Sequence, residues 1–258
     1  MPQRTDRVEA AARTLQLLEE LNRHRVAPLD TLHKATALPK STIVRLLKSL
    51  CAMGYVANDR RQGGYAVTSR VKSLSNGFHG DPLVVEAARP WAIAFTRQHQ
   101  WPVAIAVRDG MSVAVRFSTI PDSPVSPFHA TLNMRLSLLG RGLGRAYIAF
   151  CPPGERSELL DLLAQSGEPE NTFARDRGRA LAMLTAIRRQ GFAERDPQVE
   201  PRSSGTIAVP IIVDDRVLAT VGMTYFKSAV SPRDITARYA PLMVALGSNI
   251  AKSVSALR

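Results

Sequence analysis

Apolar residues recur at helical spacing over residues 10–21, where Ala11, Leu15, Leu18 and Leu21 form one stripe with Leu17 on its flank. Ala27, Pro28 and Leu29 interrupt this rhythm. A short second helix is expected next, with Asp30 or Thr31 as N-cap and Leu32 and Ala35 turned inward. After the connection Thr36-Ala37-Leu38-Pro39, residues Ile43, Leu46, Leu47 and Leu50 fall at i, i+3, i+4 and i+7 and predict a helix over 40–50. Gly54 is placed to end it. The rhythm then changes: 55–59 and 65–68 read as two strands of a hairpin across Arg60-Arg61-Gln62-Gly63-Gly64.

Past residue 75 the pattern mixes both periods. Residues 76–82 read as a linker, and 83–99 as a helix that Pro90 should kink or break. Strands are expected at 103–107 and 111–117 across Asp109-Gly110, and at 207–213 and 217–225 across Asp214-Asp215. Residues 121–127, with Pro121, Pro124 and Pro127, form a loop. Helices are expected at 145–150, 155–165 and 179–189, and a long amphipathic one at 235–254 with Pro241 inside it. Hairpins mixed with helices predict an α+β body, an antiparallel sheet flanked by helices.

The 258 residues carry 34 Lys+Arg and 22 Asp+Glu, a formal net charge of +12. The excess is uneven: residues 1–75 hold 13 basic and 6 acidic side chains, a net of +7, and the remainder a net of +5. A basic head on a larger body suits an anionic partner such as nucleic acid. On a helical wheel of 40–50, Ser41, Arg45, Lys48 and Ser49 fall opposite the apolar stripe and Thr42 lies beside them. Small hydroxyls and a forked Arg on the outward face of the second of two short helices fit a helix-turn-helix in the major groove. Lys40 is placed for a phosphate, and Arg60 and Arg61 tip a wing. DNA-binding candidates are therefore Lys40, Ser41, Thr42, Arg45, Lys48, Ser49, Arg60 and Arg61, and the partner is double-stranded operator DNA.

Other classes find less support. No run of about 18 apolar residues predicts a membrane span, and residues 1–7 show no secretory signal. The two cysteines, Cys51 and Cys151, are too few for a disulfide framework, so a reduced, cytoplasmic protein is expected. His24, His33, His79, His99 and His129 make no zinc-binding pair, and there is no Gly-x-Ser-x-Gly elbow. Gly140-Arg141-Gly142-Leu143-Gly144 matches neither nucleotide-binding spacing, and Ser203-Ser204-Gly205 reads as a turn. No catalytic residue, metal or cofactor is expected; the alternative is a small-molecule-binding enzyme with a basic accessory domain. The Gly-rich segment precedes a helix, so its N–H groups, with Arg141 and Arg145, could hold a carboxylate; a tight turn with solvent-facing arginines is the other reading.

These residues resemble the IclR family of bacterial transcriptional regulators. Arg13-Thr14-Leu15-Gln16-Leu17-Leu18 resembles its first helix, Leu38-Pro39-Lys40-Ser41-Thr42-Ile43-Val44-Arg45-Leu46-Leu47 its recognition segment, and Gly54-Tyr55-Val56 the entry to its wing. In the body, Gly144-Arg145-Ala146, Gln190-Gly191-Phe192-Ala193 and Ile207-Ala208-Val209-Pro210-Ile211 resemble later landmarks. Ala37 departs from the usual Gly of the turn, Thr206 from a common Cys, and Leu139 and Arg141 from His and Thr. Phe128-His129, Ala149-Phe150-Cys151-Pro152 and Tyr225-Phe226-Lys227-Ser228-Ala229 look closest to a subgroup that activates hydroxyphenylpropionate (aromatic acid) catabolism. The resemblance implies a winged helix-turn-helix at 1–75, a linker helix region at 76–100 and a GAF-like effector-binding domain at 101–258. It further implies a small organic acid effector, a homodimer or tetramer, and effector contacts from Leu138, Arg141, Gly142, Gly144, Asp196, Ser204, Thr206, Met223, Thr224 and Tyr225. Thr206 and Thr224 would supply hydroxyls, and Leu138, Met223 and Tyr225 an apolar wall.

Overall fold

The computed structural model describes residues 8–59, 61–75 and 82–257. The expectations for residues 1–7, for Arg60 and for the linker at 76–81 lie outside these. The chain divides into two compact units, residues 1–80 and 81–258.

In the first unit α1 (Glu9–Leu21), α2 (Leu29–Thr36) and α3 (Lys40–Ala52) surround a core of Leu17, Leu21, Leu32, Ile43, Leu47 and Leu50. The α3 stripe is buried as its spacing predicts. The α1 stripe is rotated: Leu17, Leu18 and Leu21 are buried, and Leu15 is 60% exposed. Leu17 and Leu21 at i and i+4 define the face, and Leu15 lies off it. In α2, Pro28 rather than Asp30 or Thr31 is the N-cap, and no side chain caps the helix. Pro28 holds an extended φ, and its missing N–H costs nothing ahead of the first turn. Ala35 is exposed, and Thr36 is buried in its place. The strands β1 (Val56–Asp59) and β2 (Gly64–Val67) pair antiparallel, and Ala27 exchanges two hydrogen bonds with Tyr65 to extend the ribbon. Asp59 accepts the N–H groups of Arg61 and Gln62 and so folds the wing tip.

The turn between α2 and α3 carries backbone strain. Ala37 closes α2 in the left-handed region at φ 56°, its N–H donating to the His33 carbonyl. A Cβ there meets the following carbonyl, which is why glycine is usual at such a cap.

The second unit opens with α4 (Leu83–His99), which runs through Pro90 without a break. Its sheet holds β3 (Val103–Asp109), β4 (Ser112–Ser118), β5 (Arg135–Ser137), β6 (Ala193–Glu194), β7 (Ser204–Val213) and β8 (Arg216–Phe226). Their order is β5-β4-β3-β8-β7-β6, every pair antiparallel. Asp214 and Asp215 both take positive φ, the geometry of a two-residue hairpin turn. Three helices, α5 (Gly142–Phe150), α6 (Pro153–Gln165) and α7 (Arg177–Gln190), pack with Ala106, Val113, Val115 and Ala208. On the other face α4 packs with the terminal helix against Val103, Ile105, Ile207, Val209, Val221 and Met223.

The terminal helix starts earlier than its apolar period indicates. Ser231 and Asp234 form a capping box at a first turn, α8 (Pro232–Asp234). A π turn, Ile235–Tyr239, follows, and then α9 (Ala240–Ala256). Pro241 explains the π turn, because a proline cannot take part in the regular ladder and its ring crowds the carbonyl four residues back. Both indoles of the chain fasten this segment: Trp91 donates to the Ser253 hydroxyl at 2.9 Å and Trp101 to the Tyr239 hydroxyl at 3.2 Å.

Two substitutions test these packing arguments. Ala37→Gly should stabilise the first unit by about 0.5–1 kcal/mol, the relief of the left-handed Cβ less the added chain entropy. Hydrogen exchange of the α2 and α3 amides measures it, and slower exchange is the expected result. Gly144→Ala should destabilise the second unit by at least about 2 kcal/mol. A Cβ at Gly144 would stand 2.0 Å from the Ser137 carbonyl oxygen, which the backbone must move to avoid. Urea unfolding followed by tryptophan emission reads that loss.

Candidate functional site

The outward face of α3 presents Ser41, Arg45, Lys48 and Ser49 as exposed side chains, with Thr42 part-buried beside them. The four buried apolar residues of the same helix hold this face in place. Ser49 donates to the Arg45 carbonyl at 3.3 Å, and the Arg45 side chain is exposed to solvent. Lys40 opens the helix and is ion-paired with Asp30 of α2. That pair is exposed on both sides, and the Lys40 ammonium holds the Asp30 carboxyl below its usual range. An exposed pair of this kind is weak and readily exchanged. Arg61 is exposed at the wing tip. The Arg70 guanidinium lies over the Tyr55 ring, 5.1 Å from its centre, at the base of the wing.

The second unit contains a cavity between the start of α5 and the sheet. Ala104, Val115, Phe128, Met134, Leu136 and Leu143 form its apolar lining, and Thr131, Arg141, Gly142, Arg195, Thr206 and Thr224 its polar part. Its free volume is about 50 Å³. The Thr206 and Thr224 hydroxyls face each other at 3.3 Å across β7 and β8. Gly142, in the first turn of α5, approaches the sheet closely: a Cβ there would lie 3.1 Å from the Thr206 carbonyl oxygen. The α5 helix begins at Gly142 and not at 145, so Gly142, Leu143 and Gly144 supply its first-turn N–H groups.

Two of the three arginines at this end of the sheet are neutralised. Arg141 donates from Nη2 to Glu170 at 2.9 Å and from Nη1 to the Glu200 carbonyl at 3.0 Å. Burial opposes charge on Glu170, but the bonds from Arg141 and Ser137 outweigh it and hold this carboxyl below its ordinary value. Arg145 donates to Asp196 at 2.7 Å, to the Leu139 carbonyl at 2.5 Å and to the Glu194 carbonyl at 3.2 Å. Burial lowers the proton affinity of Arg145, and Asp196 opposes that. Arg145 and Asp196 thus tie the start of α5 to the strand end at β6. Arg195 differs: it is 7% exposed, and its bonds run from Nη2 alone, to the Pro201 carbonyl and to the Ser204 carbonyl and hydroxyl.

Of the ten effector candidates, Arg141, Gly142, Thr206 and Thr224 line the cavity. Met223 and Tyr225 lie on the opposite face of the sheet, in the core under α4 and α9. Neighbours of Thr224 on one strand cannot share its face, which removes them from the wall. Burial pushes the Tyr225 hydroxyl up to about 12, consistent with that core position. Leu138 is fully buried under α5, and Gly144 packs on the Ser137 backbone. Asp196 is committed to Arg145, and Ser204 is buried against Arg195. Phe128, Thr131, Met134 and Leu136 come from the stretch between the loop at 121–127 and α5, where the sequence pattern predicts no element; Phe128 enters the sequence reading only through the subgroup resemblance, and Leu136 lies in β5. Arg195 carries no motif of its own, and only its place on the strand, opposite Thr206, marks it.

Comparison with known proteins bears on both units. Residues 10–60 match the IclR helix-turn-helix domain. The chain is 22% identical over 230 residues to the HTH-type transcriptional regulator XynR of Escherichia coli (strain K12), covering 88% of this chain and 90% of that protein. The crystal structure of the Thermotoga maritima IclR superposes with a TM-score of 0.64 at 16% identity, covering 96% of this chain and 99% of that one. An IclR homolog from Microbacterium hydrocarbonoxydans, solved in complex with 4-hydroxybenzoate, gives a TM-score of 0.56 at 19% identity and covers 96% and 99%. Among the described residues no helix is long and apolar enough to cross a membrane. The chain thus carries an IclR helix-turn-helix at residues 10–60, and its body has the fold of these proteins.

Proposed function

We propose that the protein controls a catabolic operon in response to a small aromatic acid bound in the second unit. The observation that carries the DNA side of this reading is the division of α3 into a buried apolar stripe and an outward row of Ser41, Arg45, Lys48 and Ser49. In the proposed complex this row and Thr42 enter the major groove. Lys40 exchanges Asp30 for a phosphate, and the wing tip with Arg60 and Arg61 lies on flanking DNA. One such head reads few base pairs, so a homodimer or tetramer is proposed, on half-sites about 34 Å or a multiple apart.

The cavity supports the sensing side. It is mostly apolar with a few convergent polar groups, the ordinary form of a small-molecule site. A relative of the same fold was crystallised with 4-hydroxybenzoate, and the subgroup resemblance also points to an aromatic acid. The present free volume of about 50 Å³ is below the roughly 150 Å³ of a cavity that holds benzene, so the lining must give way on binding. Effector binding would favour one arrangement of heads over another and shift their population.

Arg45→Ala should cost about 1–3 kcal/mol of discrimination between operator and random DNA, measured by fluorescence anisotropy at fixed salt. Discrimination equal to that of the wild type would remove Arg45 from base reading. Thr206→Val should weaken the effector's influence on operator affinity at least several-fold and leave effector-free DNA binding intact. An unaltered effector titration would place the site elsewhere.

A further inference from the structure

The three arginines near the cavity are not equivalent. Arg141 faces Glu170 and Arg145 faces Asp196, each in an ion pair. Arg195 has no ion pair with a carboxylate among the described residues, although it is 93% withdrawn from solvent. Glu200, the acidic residue whose charge acts on it, is occupied with the Arg202 side chain at 3.1 Å and the Arg202 N–H at 2.9 Å. All side-chain hydrogen bonds of Arg195 leave from Nη2, so Nε and Nη1 have no acceptor among the described residues. Neither nitrogen is among the fully buried unpartnered atoms, so both keep some open space from which a negative group can face them.

Its position suits such a group. Arg195 continues the ladder of β6, its N–H donating to the Thr206 carbonyl at 3.0 Å. Thr206 is directly opposite Thr224. Residues paired across antiparallel strands share a face, so Arg195, Thr206 and Thr224 form one row, and all three line the cavity. The start of α5 lies against that row through Gly142, where a side chain would meet the Arg195 backbone N at 3.3 Å. The partial positive charge of a helix N-terminus therefore adds to that of Arg195 at one spot.

We propose that Arg195 is the cation that receives the effector's carboxylate, so that the cavity selects an organic anion over its neutral analogue. Arg141 and Arg145 then have positioning roles, fixing the start of α5 through Glu170 and Asp196. The Nη2 bonds to the Pro201 and Ser204 segment anchor the Arg195 side chain and leave Nε and Nη1 for a ligand. Nε and Nη1 lie on different edges of the guanidinium, so a carboxylate accepts from one of them, and the Thr206 and Thr224 hydroxyls stand next in the row for further polar atoms. Burial, then the nearby Arg141 charge, weakens the hold of Arg195 on its proton, and an incoming anion relieves both.

This inference rests on the reading of the second unit as an effector sensor, and its test does not depend on DNA. The full-length protein is heated with formate, acetate, benzoate or 4-hydroxybenzoate, and separately with the matching amide, at equal ionic strength. In the wild type at least one acid should raise Tm by about 2–4 °C more than its amide. Arg195→Gln should abolish that difference. Arg195→Lys, which keeps the charge and loses both the Nη2 anchor and the rigid planar donors, should weaken the acid's apparent affinity several-fold. Because each difference is taken within one variant, a change in starting stability does not disturb it, and the lysine variant still reads the role if the glutamine variant does not fold. Acids that act no better than amides on the wild type overturn the proposal. So does an acid response preserved in Arg195→Gln, or an undiminished affinity in Arg195→Lys. Operator binding measured on the same samples separates this outcome from a failure of the regulator reading.

Discussion

The alternation of side chains along β7 and β8 is the constraint on which the second unit depends. Their long antiparallel pairing sends Ile207, Val209, Val221 and Met223 into the core under α4 and α9. The residues between them face the other way, where Ala208 packs under α5 and Thr206 and Thr224 line the cavity. Core and cavity are thus two sides of one ribbon. A change of register by one residue would exchange them, so the turn at Asp214 and Asp215 fixes the chemistry of the cavity as well as the hairpin.

Charge at the cavity end is settled by a second rule, that a buried guanidinium needs acceptors. Arg141 and Arg145 find carboxylates brought by remote segments, Glu170 from the stretch before α7 and Asp196 from the strand end. These pairs position the first turn of α5 where Gly142 and Gly144 allow it to approach the sheet. An arginine close to a predicted ligand site is therefore poor evidence of a ligand contact until its partners are known.

Much of the fold is legible from local patterns. The α3 stripe, both body hairpins and the long terminal helix follow from spacing and turn residues. The features that escaped depend on groups distant in the chain or on local geometry below the resolution of periodicity. Leu15 shares the spacing of its neighbours, but the core lies on the side of Leu17 and Leu21. The resemblance groups Met223 and Tyr225 with Thr224, and the period of two separates them. Asp30 looks like a cap in sequence, and its carboxylate instead faces Lys40. Ala37 is a case where the sequence raises the correct question: an alanine in a position suited to glycine takes positive φ.

The two indole bonds described for the terminal helix have a spectroscopic meaning. The chain holds two tryptophans, at 91 and 101, and both donate to residues of the segment that runs through the π turn into α9. The first unit contains none. Intrinsic tryptophan emission is therefore blind to the helix-turn-helix and reports on the seating of the terminal helix against the sheet. Trp101 does so through Tyr239, a residue whose placement depends on the π turn ahead of Pro241. The protein has a fluorescent probe already installed on one unit, and any change in its colour identifies which half of the molecule has moved.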